Sequence, residues 1–333
     1  MAASTLEPTE TIDRSLLDLD LRNNDDIIST LLDSQQRAVN AVRQAQTQLD
    51  GAVVAAASRL SEAGGRLVLV GAGASGRIAV QDGAELWPTF SWPNERLLCV
   101  MAGGDEALVN SIEGVEDDAV AAAEQVTSYS INRRDVVVCV AASGKSPWTC
   151  HWLEASRQCG ALGIGIANNA KTPLLTSAQF PVFLDTGPEV LAGSTRMAAG
   201  TAQKIALNVF STTLMIRMNR TYGNLMVDMG AVNAKLDKRR IRMLQAVLPD
   251  VGDQQAGNCL SRASGWVKLA VLVARGDSAD TGQRRLEKYH GSLRAALASI
   301  SEPTNGEYNH SEHTDSEHTH SEHTHSEHTN SPD

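Results

Sequence analysis

Two turns rich in glycine and serine have the composition of anion cradles. The first lies in "RLVLVGAGASGRIAVQDGAELWPT" (66–89), where a short apolar run ends in Gly71, Gly73 and Gly76, the G-x-G-x-x-G spacing that brings backbone amides against a pyrophosphate at a helix start. The second is "AASGKSP" (141–147), where Ser143, Gly144 and Ser146 follow another apolar run and again set hydroxyls and amides at a helix start. A dinucleotide site needs an acidic residue near the end of the second strand to hold a ribose. Here that strand ends in "MAGGDEAL", and Asp105 comes late, behind its own glycine pair. Two hydroxyl-bearing turns at the carboxyl ends of neighbouring strands suit one sugar phosphate better than a dinucleotide.

Such turns need strands and helices to hold them. A helical region is expected from about 25 to 63. The apolar runs "RLVLVGA", "RLLCVM", "DVVVCVAAS", "ALGIGIA" and "FPVFLDT" then read as strands that alternate with helical stretches, among them "ALVNSIEGVEDDAVAAAEQV" and "PWTCHWLEASRQCG". Continuously apolar strands alternating with helices predict an α/β fold, a doubly wound parallel sheet covered on both faces. After Gly223 the pattern turns helical, in "NAKLDKRRIRMLQAVL", "WVKLAVLVARG" and "GQRRLEKYHGSLRAALASI". The expected organisation is an N-terminal helical segment (1–59), a sugar-phosphate-binding domain (60–225), a helical C-terminal domain (226–300) and a polar tail (301–333).

Charge and composition exclude several classes of function. The net charge of -10 is concentrated in the tail: residues 301–333 hold eight carboxylates and no Lys or Arg, which leaves 31 acidic against 29 basic side chains in residues 1–300. A nearly neutral body gives no electrostatic reason to expect nucleic acid. No leader and no apolar stretch of about 18 residues is found, so no membrane is expected and the cytoplasm is the expected compartment. The tail repeats "SEHTx" and holds seven of the nine histidines. This is a composition that builds no core and is expected to be disordered. The five cysteines are irregularly spaced and read as reduced core thiols, and no metal site is expected.

The blocks "GAGASGR", "AGG…SIEGVEDD", "AASGKSP", "GPEVLAGSTRMAAGTAQKIALNVFST" and "YGNLMVD…NAKL", in this order and spacing, closely resemble the N-acetylmuramic acid 6-phosphate etherases, of the sugar isomerase (SIS) fold superfamily. The resemblance runs from about Thr9 to Ser299. It implies an SIS domain, a helical C-terminal domain, a homodimer with sites near the subunit interface, and no cofactor. The implied reaction splits the lactyl ether of N-acetylmuramic acid 6-phosphate into N-acetylglucosamine 6-phosphate and D-lactate. That chemistry needs a base for the C2 proton, which is acidic beside the open-chain aldehyde, and an acid for the departing ether oxygen at C3. The resemblance assigns the acid to Glu85 in "DGAELWPT" and the base to Glu116 in "EGVED". It assigns substrate contacts to Gly73, Ser75, Ser143, Gly144, Ser146, Ser194 and Thr195.

Some residues depart from the family pattern. Ala74 replaces a hydroxyl residue in the first turn, Leu86 and Trp87 are bulky where small residues are usual, and Ala198 stands in place of a lysine. Two other functions fit the turns alone: a phosphosugar isomerase, and a sugar-phosphate sensor without catalysis. Neither requires an acid aimed at a C3 leaving group, so Glu85 discriminates against both.

Overall fold

The computed structural model describes residues 7–229 and 234–301; the His-rich tail expected from 301 onward lies, apart from Ser301, outside them. Five parallel strands form one sheet: β1 (Leu67–Gly71), β2 (Leu97–Met101), β3 (Val136–Val140), β4 (Leu162–Ala167) and β5 (Phe180–Phe183), in the order β2-β1-β3-β4-β5. In β1, β3 and β4 every residue is buried, which explains why those runs are apolar without alternation. Successive side chains point to opposite faces. Leu67, Leu69, Val136, Val138, Ile164 and Ile166 enter one core, while Val68, Val70, Val137 and Cys139 enter the other.

The first core is covered by α1 (Asn24–Gln44), α2 (Gln46–Ser61), α3 (Gly73–Ala84), the short α4 (Leu86–Phe90) and α8 (Ala198–Arg217). The second lies under α5 (Ala119–Ser128), α6 (Pro147–Gln158) and the short α7 (Pro173–Ser177). Trp148 and Trp152 of α6 pack there with ring centroids 6.4 Å apart. The buried Trp152 Nε1–H donates to Gln125 Oε1 at 3.0 Å, which pairs its one polar group. The helical segment expected up to 63 is two helices that meet at Ala45, and its apolar faces complete the first core.

Residues 222–229 and 234–300 build a third, separate core from α9 (Ala234–Val247), α10 (Asp253–Arg262), α11 (Val267–Ala274), α12 (Ala279–Lys288) and α13 (Leu293–Ser301). The last expected helix is two, because His290 and Gly291 both take positive φ and turn the chain.

One expected element is shorter than its pattern. Of "ALVNSIEGVEDDAVAAAEQV", only the part from Ala119 is α-helix. Gly114 at φ 76° breaks the run, and the Asp118 carboxylate accepts from Ala121 N at 2.9 Å as the cap of α5. Glu116 therefore sits on a loop.

Candidate active site

The register of the sheet brings the two turns together. Gly71 is the partner of Val140 across β1 and β3, so the chain leaves these two adjacent parallel strands at the same level. In the order β2-β1-β3-β4-β5, the first and third strands are also where the winding reverses. A crevice opens there because the connections leave toward opposite faces of the sheet.

In the first turn, Gly76 N donates to Ala72 O at 3.0 Å and closes the first turn of α3. The amides of Gly73, Ala74 and Ser75 precede it and point out of the helix start. Gly73 has φ 53° and faces open space, whereas a Cβ on Gly76 would strike the Gly71 carbonyl. Ser75 is buried. Arg77 ties this helix start to the loop that leaves β2, donating to Leu108 O at 3.1 Å and Asn110 O at 2.7 Å.

In the second turn, Gly144 has φ 66° and a Cβ there would overlap Thr172 Oγ1, so only glycine fits. Ser143 Oγ accepts from Lys145 N at 3.2 Å, which leaves its hydroxyl proton to donate outward. Ser146 faces inward. Its Oγ donates to Glu116 O at 3.3 Å and contacts Thr149 Oγ1 at 3.1 Å, while Trp148 N also donates to Glu116 O at 2.9 Å. The start of α6 thus anchors the Glu116 backbone at the second turn.

A segment near the N terminus braces the same turn, a contact that sequence reasoning missed. Thr9 is fully buried. Its amide donates to Asn169 Oδ1 at 3.3 Å, and Asn169 Nδ2 donates to Thr9 Oγ1 at 2.7 Å and to Ser143 O at 3.5 Å. Glu7 pairs with Lys145 at 2.6 Å. The polar pair Asn168–Asn169 at the end of an apolar strand was the available signal.

Ser194 and Thr195 lie half-buried just before α8. The amino end of α8 is already occupied: the buried Glu189 carboxylate accepts from Ala198 N and Ala199 N, both at 2.9 Å. Glu189 stands nine residues from its helix, too far for any local capping pattern to reveal. Lys204 donates to Asn208, and Asn208 to Asp82. Burial raises the Asp82 carboxyl above the usual range, against the lowering effect of Asn208, Ser211 and Lys204.

Glu85 is not beside Glu116. It caps the carboxyl end of α3, its amide donating to Asp82 O at 3.3 Å. The 12 residues of α3, at ~1.5 Å rise each, set it about 18 Å from Gly73. It also lies in the layer over the first core, whereas Glu116 is anchored to α6 over the second. Both carboxylates are exposed. The cysteines offer no nucleophile near the turns: burial pushes the Cys150 thiol to about 11 and Cys139 well above its usual value.

A cavity of ≈ 680 Å³ lies elsewhere. It opens at the amino ends of the strands, between the sheet and the C-terminal helices, against Arg96, Arg217, Arg220, Asp228 and Lys268. Most of its polar groups serve the fold. Arg96 donates to Leu60 O and Gly65 O, and Asp228 accepts from Arg220 at 2.9 Å and Lys268 at 3.1 Å.

Residues 48–157 match the model of the glucokinase regulatory protein N-terminal SIS domain. Over 291 residues the chain is 47% identical to an N-acetylmuramic acid 6-phosphate etherase of Deinococcus radiodurans, covering 87% of this chain and 94% of that one. It is 40% identical over 292 residues to an etherase of the same name from Nostoc punctiforme, with the same two coverages. A solved phosphoheptose isomerase from Francisella tularensis is 18% identical with a TM-score of 0.42, covering 58% of this chain and 98% of that one.

Proposed function

This chain belongs to the N-acetylmuramic acid 6-phosphate etherases, and on that premise we propose how its residues carry the reaction. The enzyme is a carbon–oxygen lyase with an SIS fold, and its substrate is a sugar phosphate. The observation that supports the binding mode is the pairing of Gly71 with Val140, which sets two hydroxyl-bearing turns on either side of one crevice. The phosphate lies between the open amides of Gly73 and Ser75 and the hydroxyl of Ser143. Gly144 lets the backbone approach, and Ser194 and Thr195 close the third side. Ser146 works through the protein, fixing the loop that carries Glu116.

With the phosphate held, the open-chain sugar presents C2 to a base. Glu116 removes the C2 proton, and the resulting enolate is stabilised by the adjacent aldehyde. Glu85 protonates the ether oxygen as the C3–O bond breaks, and D-lactate leaves. Water then adds at C3 of the unsaturated aldehyde, with the two carboxyls in reversed roles, and N-acetylglucosamine 6-phosphate results. The protein acts as a cytoplasmic homodimer. No helix among the described residues is long and apolar enough to cross a membrane.

The test is D-lactate release from N-acetylmuramic acid 6-phosphate beside the unphosphorylated sugar. The expected result is a kcat/KM at least about a hundredfold higher with the phosphate, because several charge-assisted hydrogen bonds are lost without it. Equal values for the two sugars would remove Gly73, Ser75 and Ser143 from phosphate binding.

A further inference from the structure

The substrate carries two anions, the phosphate at C6 and the carboxylate of the lactyl ether at C3, and the two turns provide for only the first. The second sits next to the ether oxygen, in a site that works with two carboxyls, and without a cation it is repelled there. Most cations near the turns are spent. Arg77 donates to Leu108 O and Asn110 O, Lys145 is paired with Glu7, and Lys204 donates to Asn208. Arg196 is not: it is exposed and makes no hydrogen bond, ion pair or ring contact among the described residues. Lys171 is also without one, but it follows β4, two strands from the first turn.

The packing of α8 sets Arg196 beside the first turn. A Cβ on Gly200 would meet Ile78 Cδ1 at 3.5 Å, and Asn208 bonds to Asp82, so α3 and α8 run in the same sense. The amino end of α8 therefore lies against the end of α3 that carries the open amides. Ile78 stands three residues from Ser75, on the same face of its helix. The segment that bears Arg196 is fixed, with Ser194 N donating to Leu191 O and Gly200 N to Thr195 O, both at 2.9 Å. The Glu189 carboxylate already takes the amides of Ala198 and Ala199, which closes this helix start to an anion of the substrate. The Arg196 guanidinium is the donor left there. We propose, on the etherase reading above, that Arg196 binds the lactyl carboxylate and so selects a sugar phosphate with an acid on its 3-O group. A guanidinium meets a carboxylate through two parallel N–H bonds, which holds the ether oxygen in one orientation for its departure.

The experiment compares N-acetylmuramic acid 6-phosphate with its lactyl amide, in which a neutral carboxamide replaces the carboxylate, as substrates of the full-length wild-type, Arg196→Gln, Arg196→Lys and Lys171→Gln enzymes. Arg196→Gln should raise KM for the acid about ten- to a hundredfold, the loss of a charge-assisted pair, and leave KM for the amide unchanged. Arg196→Lys should recover part of that loss, because it restores the charge without the fork. Inhibition tells the two anions apart. In Arg196→Gln the inhibition constant of D-lactate should rise by a similar factor, while that of N-acetylglucosamine 6-phosphate stays at the wild-type value. Equal KM losses on both substrates, with weaker inhibition by N-acetylglucosamine 6-phosphate, would place Arg196 on the phosphate and overturn the inference. An unchanged KM for the acid would remove Arg196 from the site. A loss confined to the acid in Lys171→Gln would give the carboxylate to Lys171 instead. The phosphate-binding mode is judged by the unphosphorylated sugar and the wild-type enzyme, so the two readings fail independently.

Discussion

The two ends of the sheet make opposite use of their polar groups. At the amino ends, Arg96, Arg217, Arg220, Lys268, Asp228 and Glu287 line a cavity, yet Arg96, Arg220, Lys268 and Asp228 are bonded to backbone carbonyls or to each other. At the carboxyl ends, amides of the first turn and the Ser143 hydroxyl remain unpaired by the fold. A binding site is made of donors whose hydrogen bonds the fold leaves unmade, because a committed group must break one bond to make another.

The contrast is most strongly tested at the acids. Glu116→Gln should abolish both exchange of the C2 hydrogen with deuterated solvent and lactate release, because the enolate never forms. Glu85→Gln should block lactate release while leaving some exchange. Losses of about 10²–10⁴-fold are expected for general acid–base groups, with thermal unfolding unchanged since both side chains are exposed. Exchange that is lost in the Glu85 variant and kept in the Glu116 variant would swap the roles.

At the opposite end the signature should invert. Asp228→Asn leaves Lys268 and Arg220 facing each other without a counter-charge, and should lower stability by about 2–4 kcal/mol in denaturant titration. Its kcat, measured well below the melting temperature, should remain that of the wild type. A selective loss of kcat would bring the amino-end cleft into the reaction.

Between these extremes stands the brace on the second turn. Thr9→Val removes the acceptor of the 2.7 Å bond from Asn169 and loosens the grip on Ser143, so KM should rise roughly three- to tenfold, in line with the loss of one buried hydrogen bond. With kcat unchanged and Thr9→Ser restoring KM, the strap acts on binding. An unchanged KM would make it a structural contact alone.

The smallest effect is a pH slope. Burial lowers the Lys268 ammonium below its usual value of 10.5, more than Asp228 raises it. The folded state thus binds this proton less tightly than the unfolded chain. Lys268 therefore adds stability as pH rises from its folded value toward 10.5, and none of this gain exists at lower pH. Stability of Lys268→Met relative to wild type should fall across that alkaline window, and a flat difference would remove the desolvation argument.

Much of this could be read along the chain. Runs such as "DVVVCVAAS" could only be strands buried on both faces. Gly73 and Gly144 marked turns whose φ no other residue adopts readily, and the block order identified the family. The helical pattern through "SIEGVEDD" misled, since apolar spacing carries no record of the Gly114 turn. The Glu189 carboxylate at the start of α8 gave no local signal, and of the Thr9 contact only the polar pair Asn168–Asn169 hinted, because the partners come from distant segments.

By itself, then, the sequence determined what is local: strands from apolar runs, turns from glycine, and the residue types of an anion cradle followed by two acids. Only the tertiary structure decided where those acids stand. Thirty residues lie between Glu85 and Glu116, and nothing in that interval states that the chain runs down one face of the sheet, through β2, and back to the other. That path follows from the handedness of parallel crossovers and from which side of each helix is apolar. It leaves the two acids on opposite sides of the sheet within one chain.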